Sequence, residues 1–279
     1  MHDEPPTQSD YIHGSSGAER ARLSKLNDLL NEACLQELQL QPGETVLDLG
    51  SGLGQLSRLM ARTAGFGAKV VGVERDPDQV TQATTLADES GEAGVVDFRI
   101  GDVADPPLES EELGSFDVVH ARFLLEHVTD PASVVRQMAR AVRPGGRVFI
   151  VDDDHGDFRP WPEPDRFHDL WRAYVGTFER LGSDPYVGRK LVSLLADAGL
   201  VPVRNGGVFF GGSAGDDRFK ATADNLISAF LGAKGSMLDD DLLDERTFNA
   251  GIDGLNRWKE SAGSALWYSA CFAEGRAPG

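Results

Sequence analysis

The segment TVLDLGSGLG, residues 45–54, constrains the fold more strongly than any other part of the chain. A run of β-branched and aliphatic residues contains Asp48, and glycines follow at the alternate positions 50, 52 and 54. Such a run predicts a buried strand, and the glycines allow a tight turn whose backbone can approach a ligand closely. We therefore expect a strand, a turn and a helix that form the floor of a nucleotide pocket.

Short apolar runs alternate with helical stretches around this segment. Predicted strands cover residues 45–49, 69–73, 95–100, 116–120 and 147–151, and helices separate them. Asp76 and Asp130 are each followed by proline, which is typical of a helix N-cap. This alternation predicts a doubly wound α/β fold with a parallel sheet. Ligands bind such sheets beyond the carboxyl ends of the strands.

The pattern changes after the fifth strand. Helical stretches dominate residues 155–200 and 214–260, and apolar runs at 201–210 and 265–273 predict two further strands. If these two strands pair in antiparallel fashion, the helical segment between them is an insertion at one edge of the sheet that could form a lid. Residues 1–40 are expected to form a polar leader and an amphipathic helix that covers the core as a cap.

Composition excludes several classes of function. The chain of 279 residues has 27 Lys and Arg against 45 Asp and Glu, and its net charge of -18 argues against nucleic acid as a partner. Its two cysteines, Cys34 and Cys271, stand far apart, which predicts neither a disulfide framework nor a structural zinc site. No apolar run reaches the roughly 18 residues that span a bilayer. We expect a cytoplasmic protein without a membrane partner.

The glycine spacing discriminates between two nucleotides. A dinucleotide-binding fingerprint has the pattern G-x-G-x-x-G, and its third glycine, counted from Gly50, falls on Gln55. The chain instead has the pattern D-x-G-x-G-x-G. Glu74 ends the second strand and could accept hydrogen bonds from ribose hydroxyls in either class. The third strand is followed by Gly101 and Asp102, where a carboxylate could accept from the exocyclic amine of adenine.

At this point the sequence resembles the class I S-adenosylmethionine-dependent methyltransferases, and among them the type 11 group that acts on small molecules. The resemblance covers residues 46–151 through VLDLGSGLG, GVERD, GD, FDVVHARFLLEHV and RAVRPGGRVFI, in that order. It implies a Rossmann-like sheet of seven strands in the order 3-2-1-4-5-7-6 with the seventh antiparallel. Residues 41–279 would form this domain, after the leader and helical cap of residues 1–40.

The resemblance also implies roles for individual residues. In the family, the glycine loop binds the methionine part of the cofactor, the acid after the second strand binds ribose, and the aspartate of GD binds adenine. The segment YIHGSSGAERARL resembles one that closes over the cofactor in related enzymes. The cofactor-binding residues implied for this chain are Tyr11, Arg22, Asp48, Gly50, Ser51, Gly52, Gln55, Glu74, Arg75, Asp102, Val103 and His120.

Catalytic candidates lie beyond the ends of the fourth and fifth strands. Methyl transfer from a sulfonium is an in-line displacement, so the protein must align the acceptor and exclude water. His120 follows the fourth strand, while Asp153, Asp154 and His155 follow the fifth and could orient or deprotonate an acceptor or hold a cationic amine. A solvated loop is the competing interpretation of DDDH. We expect no metal site, because three successive acids cannot all point one way and no remote partner is identifiable.

The sequence thus predicts a methyltransferase that uses S-adenosylmethionine to methylate oxygen or nitrogen of a small molecule. A non-catalytic S-adenosylmethionine-binding regulator or scaffold is the main alternative, since an intact loop predicts binding with or without turnover. A macromolecular substrate is less favoured, because HARF stands where base-modifying relatives have an (N/D/S)PP(Y/F/W) motif. An NAD-dependent oxidoreductase is a further alternative.

Overall fold

A computed structural model of the chain describes residues 30–239 and 241–279. Tyr11, Arg22 and most of the predicted leader and cap therefore lie outside the described residues. The first described helix, α1, includes residues 30–38.

Seven strands form the main sheet: β1 (Thr45–Leu49), β2 (Lys69–Glu74), β3 (Val96–Ile100), β4 (Phe116–Arg122), β5 (Val142–Asp152), β7 (Val201–Phe209) and β10 (Ser269–Arg276). Their order is β3-β2-β1-β4-β5-β10-β7. The pairings among β1 to β5 are parallel, whereas β10 is antiparallel to both β5 and β7. The last strand of the sheet thus inserts between the fifth and sixth, which confirms the predicted fold class and strand order.

Helices connect the strands. Their bounds are α2 (Gln55–Ala64), α3 (Pro77–Glu89), α4 (Pro131–Ala141), α5 (Phe167–Arg180), α6 (Leu191–Asp197), α7 (Asp217–Asp239) and α8 (Glu245–Lys259). Both predicted N-caps are confirmed: the carboxylate of Asp76 accepts from the backbone N–H groups of Asp78 and Gln79, and that of Asp130 accepts from Ser133. The three remaining strands are short: β6 (Arg159–Trp161), β8 (Gly212–Ser213) and β9 (Ala265–Trp267).

The sheet is buried on both faces, as expected of a doubly wound fold. Successive residues of a strand point to opposite faces, so Val46 and Leu47 of β1 enter two different hydrophobic clusters. Val118 and Val119 of β4 divide in the same way. This alternation places Asp48 and His120 on the same face as Val46 and Val118.

The structure refines the last predicted strand, residues 265–273. It divides into β9 and β10, which are separated at Tyr268. The side chain of Tyr268 is buried, and its carbonyl accepts a hydrogen bond from the Phe210 N–H beyond the end of β7. The final strand then continues to Arg276, past the end of the apolar run.

The described residues form two compact units. The larger contains residues 30–159, 178–211 and 266–279, and therefore the whole main sheet; the smaller contains residues 160–177 and, apart from residue 240, residues 212–265. The predicted helical segment 155–200 is thus shared between the two units, and most of the segment 214–260 is α7 and α8 of the smaller one. A role for these segments as lids remains a prediction.

Among the helices in the described part of the chain, none is both long enough and apolar enough to cross a membrane.

Candidate active site

The glycine loop turns the chain sharply after β1. Gly50, Gly52 and Gly54 all have positive φ angles, of 73°, 55° and 71°, and only glycine adopts this conformation without strain. The N–H groups of Gly50 and Ser51 both donate to the carbonyl of Val73 at the end of β2, at 2.8 and 3.0 Å. A Cβ atom at Gly50 would lie 3.0 Å from Cδ1 of Leu124. The loop therefore lies close to the segment that follows β4.

Glu74 is fixed against this loop. Its Oε2 accepts from the Gly52 N–H at 3.1 Å, and its Oε1 accepts from the N–H groups of Arg75 and Asp76 at 2.8 and 3.1 Å. A carboxylate offers about four lone pairs, so these three bonds leave acceptor capacity on Oε2. The carboxylate is thus oriented by the backbone and able to bind a hydroxyl group.

The residues predicted to contact adenine follow the ends of β2 and β3. The Gly101 N–H donates to the Glu74 carbonyl at 3.0 Å, which brings the start of the GD segment beside Glu74. Asp102 is exposed and accepts from the Ala104 N–H at 2.8 Å, Arg75 is exposed, and Val103 is half-buried against the core. The geometry thus gathers Glu74, Asp102 and the glycine loop at one edge of the sheet.

Asp48 and His120 form a buried pair on adjacent strands. They are direct partners in the register of β1 and β4, and Nδ1 of His120 lies 2.8 Å from Oδ1 of Asp48. The Ser57 hydroxyl of α2 donates to the other carboxylate oxygen at 2.5 Å. His120 is 1% exposed, and its Nε2 has no hydrogen-bond partner among the described residues. The roles predicted for Asp48 and His120 remain predictions, as does that of Gln55, a half-buried residue at the start of α2.

Asp152 organises the loop between β4 and α4. Its carboxylate accepts from the backbone N–H groups of Leu124, Leu125 and Glu126 at 3.1, 2.7 and 3.4 Å, and also from Asp153. Residues Leu125–His127 form a 3-10 helix there. This arrangement holds the side chain of Glu126 beside the residues that follow β5.

The three predicted catalytic residues after β5 have different environments. Asp154 is buried, and its carboxylate binds the Arg189 guanidinium at 2.5 Å and the Gly156 N–H at 2.9 Å. His155 is buried, with its Nε2 2.9 Å from Oε2 of Glu126. Asp153 is half-buried, and its Oδ1 has no hydrogen-bond partner among the described residues. Asp153, His155 and Glu126 therefore converge, whereas Asp154 is held by Arg189.

Burial controls the protonation of this cluster. Burial raises the pKa of Asp153 to about 8, and the neighbouring Glu126 carboxyl adds to the increase. It also raises the pKa of Glu126 and of Asp152, and lowers that of His155. These pKa shifts disfavour the state in which the three carboxyl groups and His155 are all charged.

Glu126, Asp152 and Arg189 were not identified from the sequence as parts of the site. Glu126 lies within FLLEHV, which contributed only to the family resemblance, and Asp152 was not distinguished from its acidic neighbours. A cleft of about 370 Å³ in the smaller unit, lined by Asp165, Arg166, Ala250, Asp253 and Arg257, contains none of the predicted site residues.

A family model for a methyltransferase domain matches residues 40–172. The ubiquinone biosynthesis O-methyltransferase of Xanthomonas axonopodis pv. citri is 42% identical over 113 residues, which are 40% of this chain and 44% of that protein. An uncharacterized 37.1 kDa protein in transposon TN4556 of Streptomyces fradiae is 29% identical over 195 residues, 70% of this chain and 52% of that protein. The chain thus matches about half the length of each relative.

Structure comparison supports the same fold. The phosphoethanolamine N-methyltransferase 2 of Haemonchus contortus, solved with S-adenosyl-L-methionine, superposes with a TM-score of 0.56 at 18% identity, covering 89% of this chain and 52% of that one. Together with the strand order and the matched domain, this result places residues 40–172 in a known family. Residues 40–172 therefore match a methyltransferase domain, and the sheet has the fold of S-adenosylmethionine-dependent methyltransferases.

Proposed function

We propose that the chain is an enzyme that transfers a methyl group from S-adenosylmethionine to oxygen or nitrogen of a small molecule. The observation that carries this proposal is the Glu74 carboxylate, which is oriented by the Gly52 N–H at 3.1 Å and retains acceptor capacity. Bound S-adenosylmethionine supplies a methyl group activated by a positively charged sulfur. The following roles belong to this chain's own residues.

The glycine loop suits the methionine part of the cofactor. Gly50 and Gly52 have positive φ angles and no Cβ atom, so a ligand can approach their backbone closely. The hydroxyl of Ser51 is buried without a partner among the described residues. Glu74 would accept from the ribose. We propose that Asp102 accepts from adenine with Arg75 and Val103 beside the ring. We also propose that the cofactor contacts Asp48, Gln55 and His120, and that the segment of Tyr11 and Arg22 closes over it.

The acceptor would bind beside Asp153 and His155. Asp153 is half-buried, its Oδ1 is a buried oxygen without a partner among the described residues, and we propose that its carboxyl group contacts the polar group of the acceptor. Asp154 is a positioning residue in this scheme, because Arg189 and Gly156 already occupy its carboxylate. His120 is shielded from solvent, and we propose that it positions the Asp48 carboxylate through their hydrogen bond.

Several features favour a small substrate. The net charge of -18 disfavours nucleic acid. We propose that the segments 155–200 and 214–260 act as lids. The relative from Xanthomonas axonopodis pv. citri is an O-methyltransferase of ubiquinone biosynthesis, which supports an oxygen acceptor. We also propose that the protein is cytoplasmic, as expected from its sequence.

Turnover assays test the enzyme assignment. The purified chain would be incubated with methyl-labelled S-adenosylmethionine and a panel of small phenols, alcohols and amines, and labelled products would be detected by mass spectrometry. We expect labelled product from at least one class, and less product by roughly 10-fold or more with Glu74→Ala at a subsaturating cofactor concentration. Saturable binding of S-adenosylhomocysteine without product from any class would favour the alternative, a binding protein without turnover.

A further inference from the structure

Three potential metal ligands converge at the acceptor end of the site. Glu126, Asp153 and His155 each offer one ligand atom, and these three atoms all lie within 4.8 Å of one another. Nε2 of His155 and Oε2 of Glu126 are 2.9 Å apart. Adjacent ligand atoms in a site with bonds of about 2.1 Å are roughly 3 Å apart. A shift of the Asp153 carboxylate oxygen by less than about 2 Å would therefore bring all three ligand atoms to the spacing of a metal site.

The carboxyl groups around these atoms lack a basic side chain that would neutralise them. Three buried or half-buried carboxyl groups, those of Glu126, Asp152 and Asp153, lie together. No arginine or lysine in the described part of the chain forms an ion pair with any of them. The nearby Arg189 is occupied by Asp154. Carboxylates withdrawn from water are stable when they are protonated, paired with a cation or bound to a metal.

Backbone hydrogen bonds hold the three segments that carry these ligands in place before any ion binds. The Asp152 carboxylate holds the N–H groups of the 3-10 helix that carries Glu126. The His155 N–H donates to the Pro185 carbonyl at 3.0 Å, and the Asp153 carbonyl accepts from the Gly188 N–H at 2.9 Å. The half-buried Asp153 provides the side from which an ion can enter.

We propose that Glu126, Asp153 and His155 bind one divalent transition-metal ion. One imidazole and two carboxylates are the mixed nitrogen and oxygen ligands that suit Zn²⁺ or Mn²⁺, and a site with three protein ligands keeps a coordination position open. Since this deepens the proposed function, the open position would hold an oxygen of the acceptor. The substrate class that follows is a hydroxyl compound with a second oxygen nearby, which can chelate the ion.

Metal titration tests the site directly. Full-length protein would be freed of metal with a chelator, dialysed, and titrated with MnCl₂ and separately with ZnCl₂ in a calorimeter. The electron paramagnetic resonance signal of free Mn²⁺ would report coordination. We expect one ion per chain, and about 100-fold weaker binding by Asp153→Asn and Glu126→Gln, because even the loss of an outer partner of a ligand costs 10- to 100-fold.

Asp157→Asn is the matched control. Asp157 lies in the same loop, is exposed and contacts Arg159, so this variant should bind the ion as the original chain does. If Glu126→Gln does not fold, Asp153→Asn decides the result alone. No binding by the original chain, or equal affinities of Asp153→Asn and Asp157→Asn, would overturn the metal site and leave a protonated cluster.

Titration of the same samples with S-adenosylhomocysteine separates this proposal from the proposed function. Retained binding of S-adenosylhomocysteine without metal binding refutes the metal site only. Metal binding without S-adenosylhomocysteine binding refutes the cofactor assignment and leaves the metal site standing.

Discussion

At the scale of single residues, Glu74 links the glycine loop to the proposed ribose site. Its carboxylate accepts from Gly52 and from the two N–H groups that follow it in the chain. Glu74→Ala removes a charged acceptor, and such hydrogen bonds contribute about 1.5–3 kcal/mol. We expect calorimetry to show S-adenosylhomocysteine affinity reduced by roughly 10-fold or more. Glu89→Ala, at an exposed position on α3, is the control; equal affinities for the two variants would contradict the assignment.

Asp102 offers a second test at this scale, which concerns adenine alone. It is exposed at the end of β3 and is held by the Ala104 N–H. Asp102→Ala should weaken the binding of S-adenosylhomocysteine and leave the binding of a methionine-containing fragment without adenine unchanged. The two affinities would be compared by competition calorimetry. An equal loss for both ligands would assign Asp102 to another part of the cofactor.

The sequence predicted the positions of single residues where a local motif specifies the backbone; their functional roles remain predictions. The turn at Gly50 and the acid at Glu74 follow from their places at strand ends. The Glu126–His155 pair joins residues 29 positions apart, and the Asp48–His120 pair joins residues 72 apart. Such contacts depend on strand register, and a shift by one residue reverses every side chain of a strand. They required the structure.

At the scale of elements, the N-cap of α3 fixes the helix that follows β2. The Asp76 carboxylate accepts from the N–H groups of Asp78 and Gln79 at 2.9 and 3.4 Å. Loss of such a cap costs about 1 kcal/mol. Asp76→Ala should therefore lower the free energy of unfolding in urea by that amount. Asp78→Ala, which changes an exposed acid in the first turn, should lower it less; a larger effect there would contradict the capping role.

Elements were the best predicted level of the fold. Strand β1 has the predicted bounds, and both Asp76 and Asp130 cap helices as expected. The final strand was placed incorrectly at its end, because an apolar run does not show where hydrogen bonding to a neighbour stops. Backbone pairing carries β10 on to Arg276, although the apolar run ends at residue 273.

At the scale of the whole molecule, stability should depend on acidity through Arg99 and Glu112. The guanidinium of Arg99 forms two hydrogen bonds to the carboxylate, at 2.6 and 2.8 Å, and holds the pKa of Glu112 at about 2. Because the folded pKa lies below the unfolded value of 4.5, the stabilisation is complete above pH 4.5. It is lost as the pH falls towards 2.

In the Glu112→Gln variant, the free energy of unfolding should therefore decrease less between pH 4.5 and pH 2 than it does in the original chain. We expect a difference of about 1–2 kcal/mol, below the full linkage value because solvent screens a partly exposed pair. Urea unfolding at several pH values measures this difference. Glu109→Gln, an exposed change in the same loop, should retain the pH dependence of the original chain. An unaltered pH profile for Glu112→Gln would contradict the role of the pair.

The order of the whole sheet was predictable only through the family resemblance. Alternating strands and helices indicate a parallel sheet, but they do not specify which strands are neighbours. The insertion of β10 between β5 and β7 joins residues at least 60 positions apart in the chain, and no local pattern encodes such a pairing. The division into two units likewise depends on packing between distant segments.

The most direct test of the central claim is cofactor binding by the purified chain. Calorimetric titration with S-adenosylhomocysteine and, separately, with NAD would compare the two nucleotides that the glycine loop first suggests. We expect saturable binding of one S-adenosylhomocysteine per chain and no binding of NAD. Binding of NAD alone, or of neither nucleotide, would contradict this expectation.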